Sequence, residues 1–154
     1  MSFTIQTNAF NDGGVIPAQY TCDGNNSSPF LEWHSPPTGT KSYVLLVDDY
    51  DAPNGLWNHW IVYNLPSNIN KLTEGIKILP EPAQHGENTW HRQEYGGPCP
   101  PDKEHRYYFK LFALDDMLNP QHKVTRENID NIMEQHILGQ TMLMGRYDRI
   151  RQNR

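Results

Sequence analysis

The sequence predicts a mainly β domain built from antiparallel strands. Twelve prolines and eleven glycines punctuate the chain about every ten to fifteen residues, the spacing of short strands joined by turns. Between them lie runs that alternate apolar with polar residues or are almost wholly apolar. Only one segment carries a helical period. Taken in order, "SFTIQT" sets Phe3 and Ile5 against polar neighbours and reads as a first strand. "SYVLLVDD", residues 42–49, is nearly continuous in apolar character and reads as a central strand covered on both faces. "HWIVYNLP" is another such run, ended by Pro66, and "GIKIL" is a short one. "HRYYFKLFALD", from His105, is the longest. "VTRENIDNIMEQHILG" places Ile129, Ile132, Met133, His136 and Ile137 at i, i+3, i+4, i+7 and i+8, one face of a helix. Thr125 caps its start, Glu127 suits its first turn and Gly139 ends it. "TMLMGRY" returns as a last strand, and the tail "DRIRQNR" is basic and solvated.

The chain has 154 residues, enough for one domain, residues 1–154, with a real core. Hydrophobic residues make up 36%, yet there are eight Tyr, five Phe and four Trp, so the core is expected to be aromatic-rich. Thirteen basic against eighteen acidic residues give a net charge of −5. That excludes a broad nucleic-acid face, which needs positive charge; any anion site must be local. No apolar run approaches the ~18 residues of a membrane span. "MSFTIQTNAF" lacks a basic region followed by an apolar one, so a cytoplasmic protein is expected. Cys22 and Cys99 have no C-x-x-C spacing, and in a reducing cytosol both are expected to be thiols. Neither a cofactor nor a metal is expected.

Polar residues gather at strand ends. By period 2, Tyr43, Leu45, Val47 and Asp49 share a face, as do His59, Ile61, Tyr63 and Leu65, and His105, Tyr107, Phe109, Leu111 and Ala113. Each face is apolar except for one end, where Asp49, His59 or His105 stands. A hairpin centred on Asn54 sets Asp49 opposite His59, Val47 opposite Ile61 and Leu45 opposite Tyr63. Converging ends form a small pocket with an acid, two imidazoles and a tyrosine hydroxyl, walled by Trp57, Trp60 and Tyr107. Singly, such an Asp is usually a turn former and such a His a satisfied structural residue; three independent strands ending this way carry more weight. His34, His85, His122 and His136 are left as surface or local structure, and His91 is placed at the rim. The prolines of "DAP" and "PCPP" stiffen the chain beside this pocket, and N–H groups of Gly96 or Gly97 are available to face an anion.

Three stretches in this order, "TCDGNNSSPFLEW", "DDYDAPNGLWNHWIVYNLP" and "YGGPCPPDKEHRYYFKLFALD", resemble the phosphatidylethanolamine-binding proteins, most closely their bacterial and archaeal Raf-kinase-inhibitor-like branch. The resemblance runs nearly the full chain. It implies a large central antiparallel sheet packed with a smaller sheet, and one or two helices near the C-terminus. It also implies a pocket for phosphate, phosphorylated head groups or carboxylates such as acetate. Carried onto this chain, the pocket residues are Asp49, Asp51, His59, Pro100, Pro101, His105 and Tyr107, with Arg106 holding the site loops through an ion pair. Tyr50 stands where the family's D-P-D-A-P has proline, which relaxes that loop. "HGENTWHRQEYGGP" is bulkier than in relatives and changes the rim. The C-terminal helix that partly gates animal members is absent, which leaves the pocket more open. The resemblance leaves open whether Cys22 and Cys99 pair.

The resulting expectation is a protein that binds a small phosphorylated or carboxylate ligand, with a kinase or protease as the partner it modulates and a homodimer as the bacterial branch implies. Binding suits the motifs, because none pairs a nucleophile with a base. The alternatives are a hydrolase using Asp49, His59 and His105, and a protein-interaction module with a vestigial pocket.

Overall fold

A computed structural model describes residues 1–149; the part of the predicted solvated tail from Ile150 to Arg154 lies outside the described residues. The strands are β1 (Thr4–Gln6), β2 (Leu31–His34), β3 (Ser42–Asp49), β4 (Trp57–Pro66), β5 (Lys71–Leu72), β6 (Gln84–His85) and β7 (His105–Leu114). Then follow α1 (Arg126–Met133) and β8 (Ile137–Tyr147). The order β6-β4-β3-β7-β8 makes a five-stranded sheet and β1-β2-β5 a three-stranded one. All pairings between these strands are antiparallel. The mainly β class, with a large and a small sheet and one helix near the C-terminus, is as the sequence indicated.

β3 is buried along its whole length, because the large sheet is covered on both faces. On one, Tyr43, Leu45 and Val47 meet Trp60, Val62, Phe109 and Leu111, with Leu31 and Trp33 from the small sheet. On the other, Val44 and Leu46 meet Ile61, Phe112, Leu114 and the helix residues Ile129 and Met133. Burying one such aliphatic side chain contributes roughly 1.5–3 kcal/mol, and both faces of β3 collect that term. The alternation read along β7 also holds: Tyr107, Phe109, Leu111 and Ala113 all join the first core.

Three local expectations give way to tertiary pairing. The helix stops at Met133 rather than running to Gly139. Ile137 pairs with Leu114 and Gly139 with Ala113, so the ladder with β7 takes these residues into β8. "GIKIL" forms no strand: Gly75 sits at φ +66° and Ile78 is exposed. The small sheet is completed instead by β5 on β2. The hairpin register differs as well. Tyr43 faces Leu65 as the simple hairpin requires, but Val47 faces Trp60 and Asp49 faces Trp57. Two register shifts cause this, each adding one residue to β4: near Asn64, which has φ +57°, and at His59. An extra residue reverses the parity of a strand. His59 therefore turns to the same side as Trp60 instead of following Ile61 and Tyr63.

Candidate functional site

The C-terminal end of β3, the start of β4 and the start of β7 meet at one end of the large sheet, where Asp49 faces Trp57 on one side and Tyr107 on the other. A cavity of ≈ 570 Å³ lies there, lined by Asp49, His59, Pro100, Pro101, His105 and Tyr107. Ala52, Pro53, Trp57, Asn88, Trp90, Arg92, Glu94, Tyr95, Cys22 and Cys99 are among its other walls. Six of the eight residues singled out from sequence are thus brought together. Asp51 and Arg106 stand behind the cavity. Arg106 Nε and Nη2 donate to the Asp51 carboxylate at 3.0 and 2.9 Å, and the Arg106 backbone N–H donates at 2.9 Å. The Arg106 hydrogen bonds hold the Asp51 pKa down at about 2. Asp51 N–H in turn donates to Asp49 Oδ1 at 2.8 Å, so the loop after β3 is tied to the head of β7. At the position of the family's proline, the Tyr50 hydroxyl accepts from Lys110 Nζ and its ring packs edge-on against Tyr108.

The acid–imidazole pair is Asp49 with His105, not Asp49 with His59. His105 Nδ1 donates to Asp49 Oδ2 at 2.7 Å and Nε2 donates to Asp102 Oδ1 at 2.8 Å. Carboxylates only accept, so both ring nitrogens carry protons and the ring is an imidazolium. Burial opposes that charge, but the hydrogen bonds and charges of Asp49 and Asp102 outweigh it and raise the pKa. His105 therefore supplies charge and shape, with no donor left for a ligand.

His59 is the opposite case. Its Nδ1 donates to the Gly96 carbonyl at 2.7 Å, which leaves Nε2 as the nitrogen available to a ligand. Burial pulls its pKa below 6.5, so the free protein holds it neutral near pH 7. The ring stands edge-on to Trp90 at 4.9 Å and Tyr107 at 5.2 Å. Also in the cavity wall, the Tyr107 hydroxyl proton and Trp57 Nε1–H are buried with no acceptor, while the Tyr107 oxygen lies toward the Cys99 backbone. Burial, then the Asp49 charge, pushes the Tyr107 phenol up, so it remains an O–H donor.

The Gly96 and Gly97 N–H groups do not face the cavity as anion donors. Gly96 N–H donates to His59 O at 2.9 Å and Gly97 N–H to Asn26 Oδ1 at 2.8 Å. Glycine is required at 97 because a Cβ would collide with the Tyr20 carbonyl and Asn26 Oδ1. The stiff segment thus holds His59 in place through its backbone. The "PCPP" and "DAP" prolines have trans bonds; the cis bond among the described residues is Glu81–Pro82. Cys22 and Cys99 form a disulfide, which overturns the expectation of two thiols. Their loops are distant in sequence, and only the fold brings them into reach.

Trp60 is no wall of the cavity. It is wholly buried in the core, and its Nε1 donates to His85 Nδ1 at 3.3 Å. Trp90 and Tyr95 take that place, from the bulky stretch whose effect on the rim was anticipated without assigning residues. Asn88 organises this loop. Its Oδ1 accepts from Trp90 N–H at 3.0 Å and Arg92 N–H at 3.1 Å, and its Nδ2 donates to Glu94 O at 2.8 Å. Asn88 and Asp102 were missed because nothing in their local sequence marks them. His91 is exposed and bonded to Glu87, outside the lining.

A family model described as phosphatidylethanolamine-binding protein matches residues 6–148. The chain is 43% identical over 148 residues to a UPF0098 protein of Methanothermobacter thermautotrophicus, covering 94% of this chain and 98% of that one. It is 47% identical over 146 residues to a UPF0098 protein of Chlamydia pneumoniae, covering 92% and 95%. Among solved structures, CT736 of Chlamydia trachomatis, a candidate phosphatidylethanolamine-binding protein homologue, superposes with TM-score 0.90 at 41% identity, covering 97% of this chain and 99% of that one. YbcL of Escherichia coli, described as a new member of the mammalian family, gives TM-score 0.90 at 28% identity, covering 97% and 100%. With its two sheets, its strand-end cavity and a match over almost its whole length, the chain belongs to the phosphatidylethanolamine-binding protein family.

Proposed function

We propose that the cavity binds a small molecule through a phosphoryl or carboxylate group, with Tyr107 and Trp57 as direct donors, His59 Nε2 joining them once the ring is protonated, and Asp49, His105, Asp51 and Arg106 as the frame. The observation that carries this is the pair of buried donors without acceptors, Tyr107 OH and Trp57 Nε1, in the same cavity wall as the open Nε2 of His59. A buried polar group left unpaired costs about 1–3 kcal/mol, and an oxyanion entering the cavity removes that cost. The charges at the cavity do not favour a second negative charge on the ligand: Asp49 and Asp102 flank the single charge of His105, and Glu94 offsets Arg92 at 3.6 Å. Such a site suits a monoanionic or zwitterionic ligand, a phosphorylated head group or a carboxylate, better than a dianion. Proline and aromatic walls suit an apolar stem on that ligand.

The hydrolase reading has less support. His105 has both nitrogens committed to carboxylates and offers no lone pair as a base; His59 Nε2 keeps one, but Asp49 is paired with His105 and does not support it. We extend the binding reading to one domain over residues 1–154, to a cytoplasmic location, to a kinase or protease partner and to a homodimer, on the family resemblance; co-purification and sedimentation velocity test the last two. Among the described residues no helix is long and apolar enough to cross a membrane.

Calorimetry with inorganic phosphate, phosphoethanolamine and acetate at pH 5.5 and 8 tests the site. His59 is neutral above its lowered pKa and gains a donor below it, so binding strengthens as pH falls below 6.5. A charge-assisted hydrogen bond contributes roughly 1.5–3 kcal/mol, so His59→Ala weakens binding about tenfold or more. No binding by the wild type at pH 5.5, or unchanged binding by His59→Ala, overturns the assignment.

A further inference from the structure

We propose that the Cys22–Cys99 disulfide is a thiol-exchange site in the wall of the cavity, and that its oxidation state and the cavity's occupancy control one another. Both half-cystines line the cavity, and Cys22 is exposed while Cys99 is half-buried between Pro98 and Pro100. Exposed disulfides are the labile ones; this one joins an exposed residue to a half-buried one, and both line the ligand space. The reactant class is a low-molecular-weight thiol. Its thiolate attacks Cys22 Sγ, the S–S bond breaks, and the electron pair leaves on Cys99 Sγ as a thiolate. A second thiolate attacks the mixed disulfide at the sulfur of the small thiol. That releases the small-molecule disulfide and the Cys22 thiolate, and solvent protonates both cysteines. Two thiols are oxidised and one protein disulfide is reduced.

The bridge joins the loop after the short 3-10 helix Ala18–Tyr20 to the segment that positions His59. Three hydrogen bonds cross the same seam: Cys22 N–H to Pro98 O at 3.1 Å, Gly97 N–H to Asn26 Oδ1 at 2.8 Å, and Tyr95 OH to Tyr20 O at 2.7 Å. Neither cysteine belongs to the two apolar cores. Reduction therefore loosens the seam locally and leaves the sheets intact. The loosened seam includes Gly96, whose carbonyl fixes His59 Nδ1 and whose N–H is bonded to His59 O. A ligand seated against His59 needs that seam closed. By reciprocity, whatever reduction subtracts from ligand affinity, the ligand must subtract from the ease of reduction.

The inference rests on the proposed binding site for its second half only, and the experiment separates the halves. Protein is treated with glutathione or dithiothreitol, and free thiols are trapped and counted by mass. Amide exchange is followed at Gly96 and Gly97 and across β3 and β7. The expected result is reduction under native conditions, at least tenfold faster exchange at Gly96 and Gly97, and unchanged protection in β3 and β7. Saturating phosphate then slows reduction, and the reduced protein binds phosphate about tenfold more weakly. Resistance to both thiols without denaturant, loss of protection throughout β3 and β7, or unaltered exchange at Gly96 and Gly97 overturns the exchange site. Equal phosphate affinity in both redox states, with phosphate bound, overturns the coupling. Absence of phosphate binding in the oxidised protein sinks the binding reading and the coupling with it, while the exchange site stands or falls on the thiol and amide data. Cys22→Ser/Cys99→Ser must behave as the reduced protein; if it does not fold, chemically reduced wild type supplies the same readouts.

Discussion

Replacing His105 with leucine tests the frame of the site. The imidazolium lies between Asp49 and Asp102, and the His105 and Asp49 side chains are 1% and 5% exposed. Asp102 is 48% exposed, so its pairing is screened and contributes about 0–1 kcal/mol. The larger share is the buried pair with Asp49. Removing one partner of such a pair costs about 3–5 kcal/mol, because the other charge stays buried. Asp49 would keep the Asp51 N–H at 2.8 Å on one carboxylate oxygen and lose the imidazolium from the other. At about 2–4 °C per kcal/mol for a chain this long, His105→Leu lowers Tm by roughly 6–20 °C. The pH dependence gives a second check. The folded pKa of His105 is raised above 6.5, so its contribution is fully present below pH 6.5 and is lost as pH rises through the folded value. Urea unfolding of both proteins from pH 6 to 9 should show the gap narrowing toward alkaline pH. A gap under about 1 kcal/mol, or one that does not change with pH, refutes the doubly bonded imidazolium.

Tyr107→Phe removes a buried hydroxyl whose proton has no acceptor, so the stability of the free protein should change by no more than about 1 kcal/mol. Phosphate binding, read by calorimetry, should weaken about tenfold; a marked loss of stability would mean the hydroxyl is already satisfied. Asp51→Asn should cost about 0.5–1 kcal/mol at pH 7, since Arg106 is half exposed. The Asp51 pKa is lowered from 3.8 to about 2, so the wild type's advantage is present above pH 3.8 and fades as pH falls toward 2; acid titrations of both proteins check it.

Alternation along the chain is a local property, and it determined much of this protein. It identified β3 as a strand covered on both faces and put His105 and Tyr107 on one side of β7 because those strands have regular pleats facing the site. The motif order carried the family and hence the two-sheet plan, and it selected six residues that now line one cavity. What remained depended on which segments meet. His59 reaches the cavity on the side of Asp49, as simple counting places it, but only because two added residues in β4 reverse the parity twice; Ile61 and Tyr63, which lie between them, face the other way. Asp49 pairs with His105 because β3 lies between β4 and β7 and its end is offered to both. Trp90, Asn88 and Asp102 come from loops whose sequences say nothing about the surface they will cover. The helix yielded Ile137 and Gly139 to β8, since ladder bonds with β7 outweigh one more helical turn. Cys22 and Cys99, 77 residues apart in sequence, pair only because the cavity wall is built from both of their loops. Local periodicity is written in neighbouring residues, whereas contacts across such separations are set by the loop closures and packing of the whole chain.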